Sequence, residues 1–210
     1  MEIISHRGFW LNEDEKNSLT AFERSFNLGY GTETDIRDLD GTIVISHDMP
    51  KSSIPPMTLE EFFAIYKQYA PTTLALNVKA DGLQNSIKKL IDKYMIENYV
   101  LFDMSIPDLI QTTKYELKFL TRLSEYEKDN HFDALSNGVW VDEFGDSWVT
   151  PEIISQLTQR HSRVFIVSPE LHGRNPLSKW KSMKKNNIHN LSNVVLCTDF
   201  PDRAKEFYFE

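Results

Sequence analysis

The chain has 210 residues, with 40% hydrophobic and 26% charged side chains and a formal net charge of −8. This composition is ordinary for a globular protein, and the length suffices for one well-buried core, so we expect a single domain over residues 1–210. The negative charge argues against nucleic acid as a partner.

Cysteine usage and apolar runs bear on the compartment. No apolar run is long enough to span a bilayer, so we expect no stable membrane insertion. The single Cys197 excludes an internal disulfide and is typical of a reducing compartment. The first chemistry-bearing residues begin at His6, which leaves no room for a signal peptide. We therefore expect a cytoplasmic protein, and the sequence does not predict its oligomeric state.

The first predicted elements are a strand and a helix. The apolar run 2–5 predicts a strand that ends in His6-Arg7-Gly8, where the glycine permits a turn out of the sheet. Asn17 or Ser18 then caps a predicted helix. Apolar residues recur along that helix at helical spacing, namely Leu19, Phe22, Phe26 and Leu28.

Two carboxylates follow that helix. Glu33 and Asp35 are two residues apart on a predicted strand, so both side chains point to one side. Paired carboxylates are costly to bury alone, and a hard divalent cation relieves their repulsion. Asp40-Gly41 predicts a hairpin turn into a strand at 42–46, which carries His47 back towards the carboxylates. Two imidazoles, a guanidinium and a carboxylate pair suit phosphoryl transfer.

The remaining chain alternates between predicted strands and helices. A capping-box pattern at Thr58 and Glu61 begins the first of these helices. Predicted strands lie at 73–78, 99–102, 119–123, 138–141, 164–167 and 194–197, and further predicted helices at 83–94, 108–115, 151–160, 176–185 and 201–209. The polar segment 125–135 resists assignment.

Strand and helix alternate about eight times along the whole chain. Alternation of this kind predicts a parallel sheet covered by helices. Eight units favour a closed (β/α)8 TIM barrel of the α/β class, and 210 residues lie near the lower end of the roughly 200 to 400 usual for that fold. Active sites of such barrels form at the carboxyl ends of the strands, where most of the polar residues are predicted to lie.

The order and spacing of these motifs resemble the glycerophosphodiester phosphodiesterase family. The family signature is His-Arg-Gly, Glu-Asn-Thr, Glu-x-Asp, Asp-Gly and His-Asp, in that order. The chain carries His6-Arg7-Gly8, Asn17-Ser18, Glu33-x-Asp35, Asp40-Gly41 and His47-Asp48. The likeness is dense over the first quarter of the chain and thinner, but traceable, to the C-terminus.

The resemblance implies a (β/α)8 barrel with two catalytic histidines, a divalent metal (Mg²⁺ or Ca²⁺) and a place in lipid metabolism. The residues that it places in the site are the catalytic His6, Arg7 and His47 and the metal ligands Glu33 and Asp35. Asp48 either orients its neighbouring histidine or only caps the loop. Family members often carry a small inserted subdomain after His-Asp; here the next predicted helix already begins at Thr58, so we expect a compact barrel without it.

The chain departs from the family pattern at Asn77. Family members usually have an acidic metal ligand two residues before a lysine, and this chain has Asn77 before Lys79. Asn77 remains a candidate ligand through its carbonyl oxygen, which brings no charge. Lys79 is a candidate for binding phosphate and steadying negative charge, or alternatively an ion-pair partner of Glu33 or Asp35. We expect Glu170 to supply the missing ligand charge, and Asp142, Glu143 and His172 are further candidates for this role.

A second departure is Lys16 in place of the glutamate of Glu-Asn, for which Glu15 is a neighbouring substitute.

The sequence therefore predicts a metal-dependent phosphoric diester hydrolase acting on a small glycerophosphodiester-like molecule. A related outcome is a lyase that stops at a cyclic phosphate. An alternative from another class is a barrel that binds phosphodiesters or sugar phosphates without turnover, although a binder needs no acid and base. A sugar-phosphate isomerase or aldolase is weaker, because Lys79 is better explained beside carboxylates than as a Schiff-base lysine.

Overall fold

The computed structural model describes residues 1–128, 131–145 and 147–210. Within these residues the chain forms nine strands: β1 (Glu2–His6), β2 (Gly31–Leu39), β3 (Thr42–Ile45), β4 (Leu74–Val78), β5 (Tyr99–Phe102), β6 (Thr121–Leu123), β7 (Val139–Val141), β8 (Val164–Val167) and β9 (Val194–Thr198). The described α-helices are α1 (Leu19–Asn27), α2 (Leu59–Tyr66), α3 (Gln84–Tyr94), α4 (Ile106–Lys114), α5 (Pro151–Arg160), α6 (Leu177–Lys185) and α7 (Pro201–Phe209).

The chain divides into two compact units. The N-terminal unit is Arg7–Phe119, and the C-terminal unit joins Met1–His6 to Leu120–Glu210. The expectation of a single domain over residues 1–210 stays a prediction.

The N-terminal unit is built on the parallel strands β2, β4 and β5, with β3 antiparallel to β2. Helix α1 begins at Ser18, whose hydroxyl accepts the Ala21 N–H, and α2 begins with the predicted capping box of Thr58 and Glu61. The two helices pack through aromatic rings, with the ring centroids of Phe22 and Phe62 4.6 Å apart. Burying each such ring contributes about 1.5–3 kcal/mol.

The C-terminal unit is an all-parallel sheet in the order β1-β9-β8-β7-β6. Because its strands are parallel, their carboxyl ends lie along one edge. Its strands are covered by helices, and the fully buried Trp180 of α6 donates its indole N–H to Ser168, just past β8, at 2.9 Å. Such a sheet, covered by helices, is typical of α/β proteins.

Strand and helix follow each other as expected for a (β/α)8 barrel, which confirms the predicted fold class. The segment 46–58 between β3 and α2 contains only isolated bridges, in agreement with the expected lack of an inserted subdomain. The alternation differs from the prediction after β6, where the described residues contain a short 3-10 helix (Asp133–Leu135) but no α-helix before β7. In the described part of the chain no helix is both long and apolar enough to cross a bilayer.

Candidate active site

Asp35 is the centre of a polar cluster in the N-terminal unit. Its side chain on β2 is 1% exposed, with Arg7 Nε 3.0 Å from Oδ2 and Lys79 Nζ 3.6 Å from Oδ1. Asn17 Nδ2 donates to Oδ2 at 3.0 Å. These three partners offset the cost of burying the carboxylate. The ion pair considered for Lys79 is therefore observed with Asp35, and a second pair joins the lysine to Asp103 at 3.9 Å.

Glu33 lies on the same face of β2 as Asp35 and is also buried. Burial and the charge of Asp35 raise the pKa of Glu33 well above its usual value, while the charges of Arg7 and Lys79 oppose this rise. The pair therefore favours binding of a proton or a cation, as expected from its spacing in the sequence.

Asn77 is the register partner of Asp35 on the neighbouring strand β4, so the two side chains share a face. Asn77 Oδ1 and Asp35 Oδ1 are both buried and have no hydrogen-bond partner in the described part of the chain. Carboxylate and amide oxygens are donors that Mg²⁺ and Ca²⁺ accept. Among the described residues there is no group of three His, Cys, Asp or Glu side chains placed to hold a metal. The donors thus fit a hard divalent cation, but with only two ligand charges.

Arg7 has a left-handed backbone conformation, with φ of +60°. This conformation costs a residue with a Cβ roughly 1–2 kcal/mol. Two backbone hydrogen bonds of 2.9 Å hold it, from Arg7 N to Glu33 O and from Asn17 N to Arg7 O. The next residue, Gly8, also has a positive φ, and a Cβ there would lie 2.7 Å from the Cβ of Ala21. The turn that carries the guanidinium to Asp35 is therefore strained and tightly packed.

His47 follows the hairpin strand β3, as predicted. Its Nδ1 lies 2.8 Å from Asp48 Oδ1, a contact that is compatible with the first of the two roles predicted for Asp48, orienting the imidazole. The hydrogen bond and charge of His47 lower the pKa of Asp48, which is fully exposed. Arg37 donates to the backbone oxygens of both His47 and Lys79, at 2.9 and 3.1 Å. These bonds tie the histidine backbone to the end of β4.

His6 belongs to the C-terminal unit, where its Nδ1 lies 2.7 Å from Asp199 Oδ1. The parallel register of β1 and β9 pairs Ser5 with Thr198. The residues that follow these two, His6 and Asp199, therefore lie side by side. Asp199 was not among the residues predicted for the site. Its position directly after the last strand was the available signal, because in a closed barrel the last strand is the neighbour of the first.

Glu170 is held by donors of the C-terminal unit itself. Its carboxylate accepts the hydroxyl of Ser168 at 2.5 Å, the hydroxyl of Thr198, and the Asp199 N–H at 3.2 Å. Burial raises the pKa of Glu170, and these hydroxyl donors oppose the rise. The metal-binding role of Glu170 stays a prediction.

Asp142, Glu143 and His172 each have a partner within the C-terminal unit. His172 Nε2 lies 2.6 Å from Asp142 Oδ1, and the buried Lys179 donates to Glu143 Oε2 at 2.8 Å. Their candidacy as metal ligands in place of Glu170 stays a prediction.

Glu15 was the neighbouring substitute for the glutamate that the family carries before Asn17. It forms an ion pair with Arg24 at 2.8 Å. Because Glu15 is paired with Arg24, this contact does not support Glu15 as a replacement for the family's glutamate.

Neither a protein-family profile nor a curated protein matches the chain. Similar solved structures include two from Parabacteroides distasonis ATCC 8503. One is a glycerophosphodiester phosphodiesterase, 16% identical, with 99% of this chain and 96% of that chain covered and a TM-score of 0.68. The other is a glycerophosphoryl diester phosphodiesterase, 19% identical, with coverages of 98% and 85% and a TM-score of 0.70.

An Oleispira antarctica phosphodiesterase in complex with the product sn-glycerol-3-phosphate is also similar, at 15% identity, coverages of 99% and 96%, and a TM-score of 0.68. At these identities the likeness shows the fold. Other enzymes share this fold too, among them a tryptophan synthase α-subunit from Pyrococcus furiosus, with a TM-score of 0.58.

Proposed function

We propose that the chain is a metal-dependent phosphodiesterase that hydrolyses a small glycerophosphodiester-like substrate. The observation that carries the proposal is the pairing of each predicted catalytic imidazole with a carboxylate at Nδ1, His6 with Asp199 and His47 with Asp48. Such a carboxylate fixes the tautomer and orientation of the ring. A general acid and a general base need such positioning, whereas a protein that only binds the ligand does not.

In the proposed reaction one imidazole takes the proton of the neighbouring glycerol hydroxyl, and the oxygen of that hydroxyl attacks phosphorus. The bond between phosphorus and the headgroup oxygen breaks, and the other imidazole, protonated, donates its proton to the leaving alkoxide. Water then opens the cyclic phosphate, with the two imidazoles in exchanged roles. Either histidine can begin this sequence, so we assign the pair and not the order.

Arg7 and Lys79 would offset the charge of the phosphoryl group. Both cations lie within 3.6 Å of the same carboxylate, Asp35, so they converge on one point of the N-terminal unit. A planar guanidinium can bind two phosphate oxygens at once. A divalent cation bound by Glu33, Asp35 and Asn77 would polarise a phosphoryl oxygen.

The fold is compatible with this proposal, since it is that of several phosphodiesterases, one of them with sn-glycerol-3-phosphate bound. We extend from these relatives only the class of substrate, a small phosphodiester. A role in lipid metabolism is what the resemblance of the motifs implies. The single cysteine, Cys197, is buried, and a chain with one cysteine is compatible with the cytoplasmic location expected from the sequence.

A second candidate function is binding of phosphodiesters without turnover. The observation that favours it is the neutral Asn77 beside Asp35, whose charge Arg7 and Lys79 already compensate. A depleted metal site of this kind would still attract an anionic ligand.

Phosphorus NMR on a panel of glycerophosphodiesters, with and without EDTA, separates these functions. A metal-dependent hydrolase releases glycerol phosphate and loses activity on chelation. A product that remains a cyclic phosphate identifies a lyase instead. Substrate signals that broaden without any product identify a binder and contradict the proposal.

Variants of the two imidazoles test the acid–base assignment directly. His6→Ala and His47→Ala should each lower turnover at least ~10²-fold with little loss of thermal stability. His161→Ala is the matched control, because this histidine lies at the end of α5 and has no proposed role. Near-wild-type turnover in either variant would remove that histidine from the mechanism.

A further inference from the structure

An aromatic–acidic cluster lies at the carboxyl edge of the C-terminal unit. None of its members transfers a proton in the reaction described above, and two of them, Asp142 and His172, remain candidate metal ligands. Its members are Tyr126, Phe144 and His172 with the carboxylates of Glu125 and Asp142, from the segments that follow β6, β7 and β8. These segments are on the same edge as His6, because the strands of this unit are parallel. The edge is the one at which active sites of such folds form.

The aromatic rings of the cluster are open to solvent. Tyr126 is 82% and Phe144 42% exposed, although both are large rings that would gain from burial. Their ring centroids lie 6.2 Å apart, and that of Phe144 lies 5.3 Å from the imidazole of His172. Three neighbouring aromatic groups with exposed surface make a platform rather than a core.

Hydrogen bonds hold this platform in place. Glu125 accepts the backbone N–H groups of Phe144 and Gly145 at 3.2 and 2.9 Å. Arg174 donates to the backbone oxygen of Gly145 at 2.7 Å, and Asp142 binds the imidazole of His172 at 2.6 Å. Hydrogen bonds thus connect the segments after β6, β7 and β8. A preorganised site loses less ordering entropy when a ligand binds.

The electrostatics of the cluster favour a cation. The cluster has the two carboxylates of Glu125 and Asp142, with the guanidinium of Arg174 nearby, while the neighbouring Arg122 is paired with Glu127. The guanidinium of Arg122 already lies 5.9 Å from the centroid of the Phe144 ring. An aromatic ring attracts a cation through its quadrupole, and neighbouring carboxylates add to this attraction.

We infer that the aromatic–acidic cluster binds the ammonium group of a substrate headgroup, with a quaternary ammonium as the best fit. Such a cation is large and weakly hydrated, and it contacts exposed aromatic faces without needing hydrogen-bond acceptors. The carboxylates of Asp142 and Glu125 supply the balancing charge. This inference rests on the proposed phosphodiesterase function, which it deepens by naming the class of headgroup.

Two isosteric substrates test the role of the headgroup charge. Glycerophosphocholine and its neutral 3,3-dimethylbutyl analogue have the same shape at the headgroup. The wild type should have a KM about tenfold lower for the choline ester, in line with a partly desolvated cation–π contact. Phe144→Leu and Tyr126→Leu should each reduce that KM ratio, whereas Tyr115→Leu, an exposed tyrosine at the end of α4, should leave it unchanged. Equal KM values for the two esters in the wild type would overturn the inference.

Binding of tetramethylammonium, followed by NMR on the intact protein, separates this inference from the proposed function. The ion should bind to the wild type and to the Tyr115→Leu variant, and several-fold more weakly to Phe144→Leu and Asp142→Asn. This result without turnover of any glycerophosphodiester would support the site and contradict the phosphodiesterase. If the protein turns over the diesters but the ion binds equally, or not detectably, in all four proteins, the ammonium site is contradicted and the phosphodiesterase function is not.

Discussion

Asp199 holds the imidazole of His6 through a 2.7 Å contact between Oδ1 and Nδ1. The two residues are 193 positions apart in the chain, and the parallel register of β1 and β9 brings them together. Both side chains are largely shielded, at 15% and 12% exposure. In such surroundings a carboxylate orients the ring more firmly than an exposed one, because water competes less for its oxygens.

Asp199 is therefore expected to act as a positioning residue for His6. Asp199→Asn keeps an oxygen for Nδ1 but removes the negative charge beside the ring. We expect turnover to fall roughly 10- to 100-fold, as for other partners that orient a functional imidazole, and the pH profile of kcat to change. Asp48→Asn removes the corresponding partner of His47 and should lower turnover less, since Asp48 is 93% exposed. An unchanged rate and pH profile in Asp199→Asn would show that this contact is only structural.

The backbone of Arg7 yields a stability prediction. Because its φ is +60°, a residue without a Cβ should fit this position better than alanine. Arg7→Gly should therefore have a free energy of unfolding about 1 kcal/mol higher than that of Arg7→Ala, although both variants lose the ion pair with Asp35. Urea denaturation of the two variants measures the difference. If the alanine variant is the more stable one, Arg7 does not adopt the left-handed conformation in solution.

Arg7→Lys tests what the side chain does. Lysine keeps the charge, but it cannot reproduce the planar fork by which a guanidinium binds two phosphate oxygens. We expect KM to rise and kcat/KM to fall at least tenfold, by the loss of about one charged hydrogen bond, while the melting temperature changes little. Steady-state kinetics on one glycerophosphodiester decides this. Kinetic constants equal to those of the wild type would assign Arg7 a structural role beside Asp35.

Local patterns predicted much of the fold, and long-range pairing explains what they missed. The capping box of α2 and the shared face of Glu33 and Asp35 depend on residues two or three positions apart, so the sequence alone revealed them. The pairing of His6 with Asp199 depends on which strands are neighbours, and no short pattern contains that information.

The candidate site shows the same division. The sequence left two roles open for Lys79, phosphate binding and an ion pair with a carboxylate of β2. An ion pair depends on distances between β2 and β4, which the sequence does not contain, and the structure places Lys79 Nζ 3.6 Å from Asp35 Oδ1. The segment 125–135 resists assignment from the sequence because it is polar. Its described residues contain a short 3-10 helix (Asp133–Leu135) and no α-helix, and residues 129 and 130 lie outside the described part of the chain.

Glu33 should make stability depend on pH. Its pKa in the folded chain is raised well above the usual 4.5 by burial and by Asp35. Above the unfolded pKa the unfolded chain releases this proton while the folded chain keeps it, so stability falls as pH rises towards the folded pKa. Glu33→Gln removes this fall, and its unfolding free energy relative to the wild type should increase with pH above about 4.5. Chemical denaturation over a pH series, without divalent metal, measures this.

The control for Glu33→Gln is Glu152→Gln, at the start of α5. Glu152 is exposed, and its hydrogen bond with Thr150 lowers its pKa, so this variant should gain no stability at higher pH. A relative stability of Glu33→Gln that is flat from acid to neutral pH would contradict a buried, proton-holding Glu33.

The last prediction concerns ligand charge at position 77. Asn77 Oδ1 is buried, lies on the same face as Asp35, and has no hydrogen-bond partner among the described residues. Affinity for a hard cation depends on the number of charged ligands, so with two carboxylates the site should bind Mg²⁺ or Ca²⁺ weakly. Asn77→Asp has nearly the same shape and adds one charge. Without metal it should melt at a lower temperature than the wild type, because a third buried carboxylate is repelled by Glu33 and Asp35.

Added metal should reverse this order, because a ligand that binds only the folded state raises its stability in proportion to affinity. Thermal melts in EDTA and in Mg²⁺ or Ca²⁺, with calorimetric titration of the metal, measure both effects. Asn77→Glu reaches further, and it should tighten binding if the site is one carboxylate short, or crowd the site and lower activity if Glu170 or Asp142 already supplies the charge. Glu170→Ala and Asp142→Ala distinguish these cases, since only a true ligand weakens binding when it is removed. Equal metal affinity in the wild type and in all four variants would refute the account of position 77 as part of a metal site.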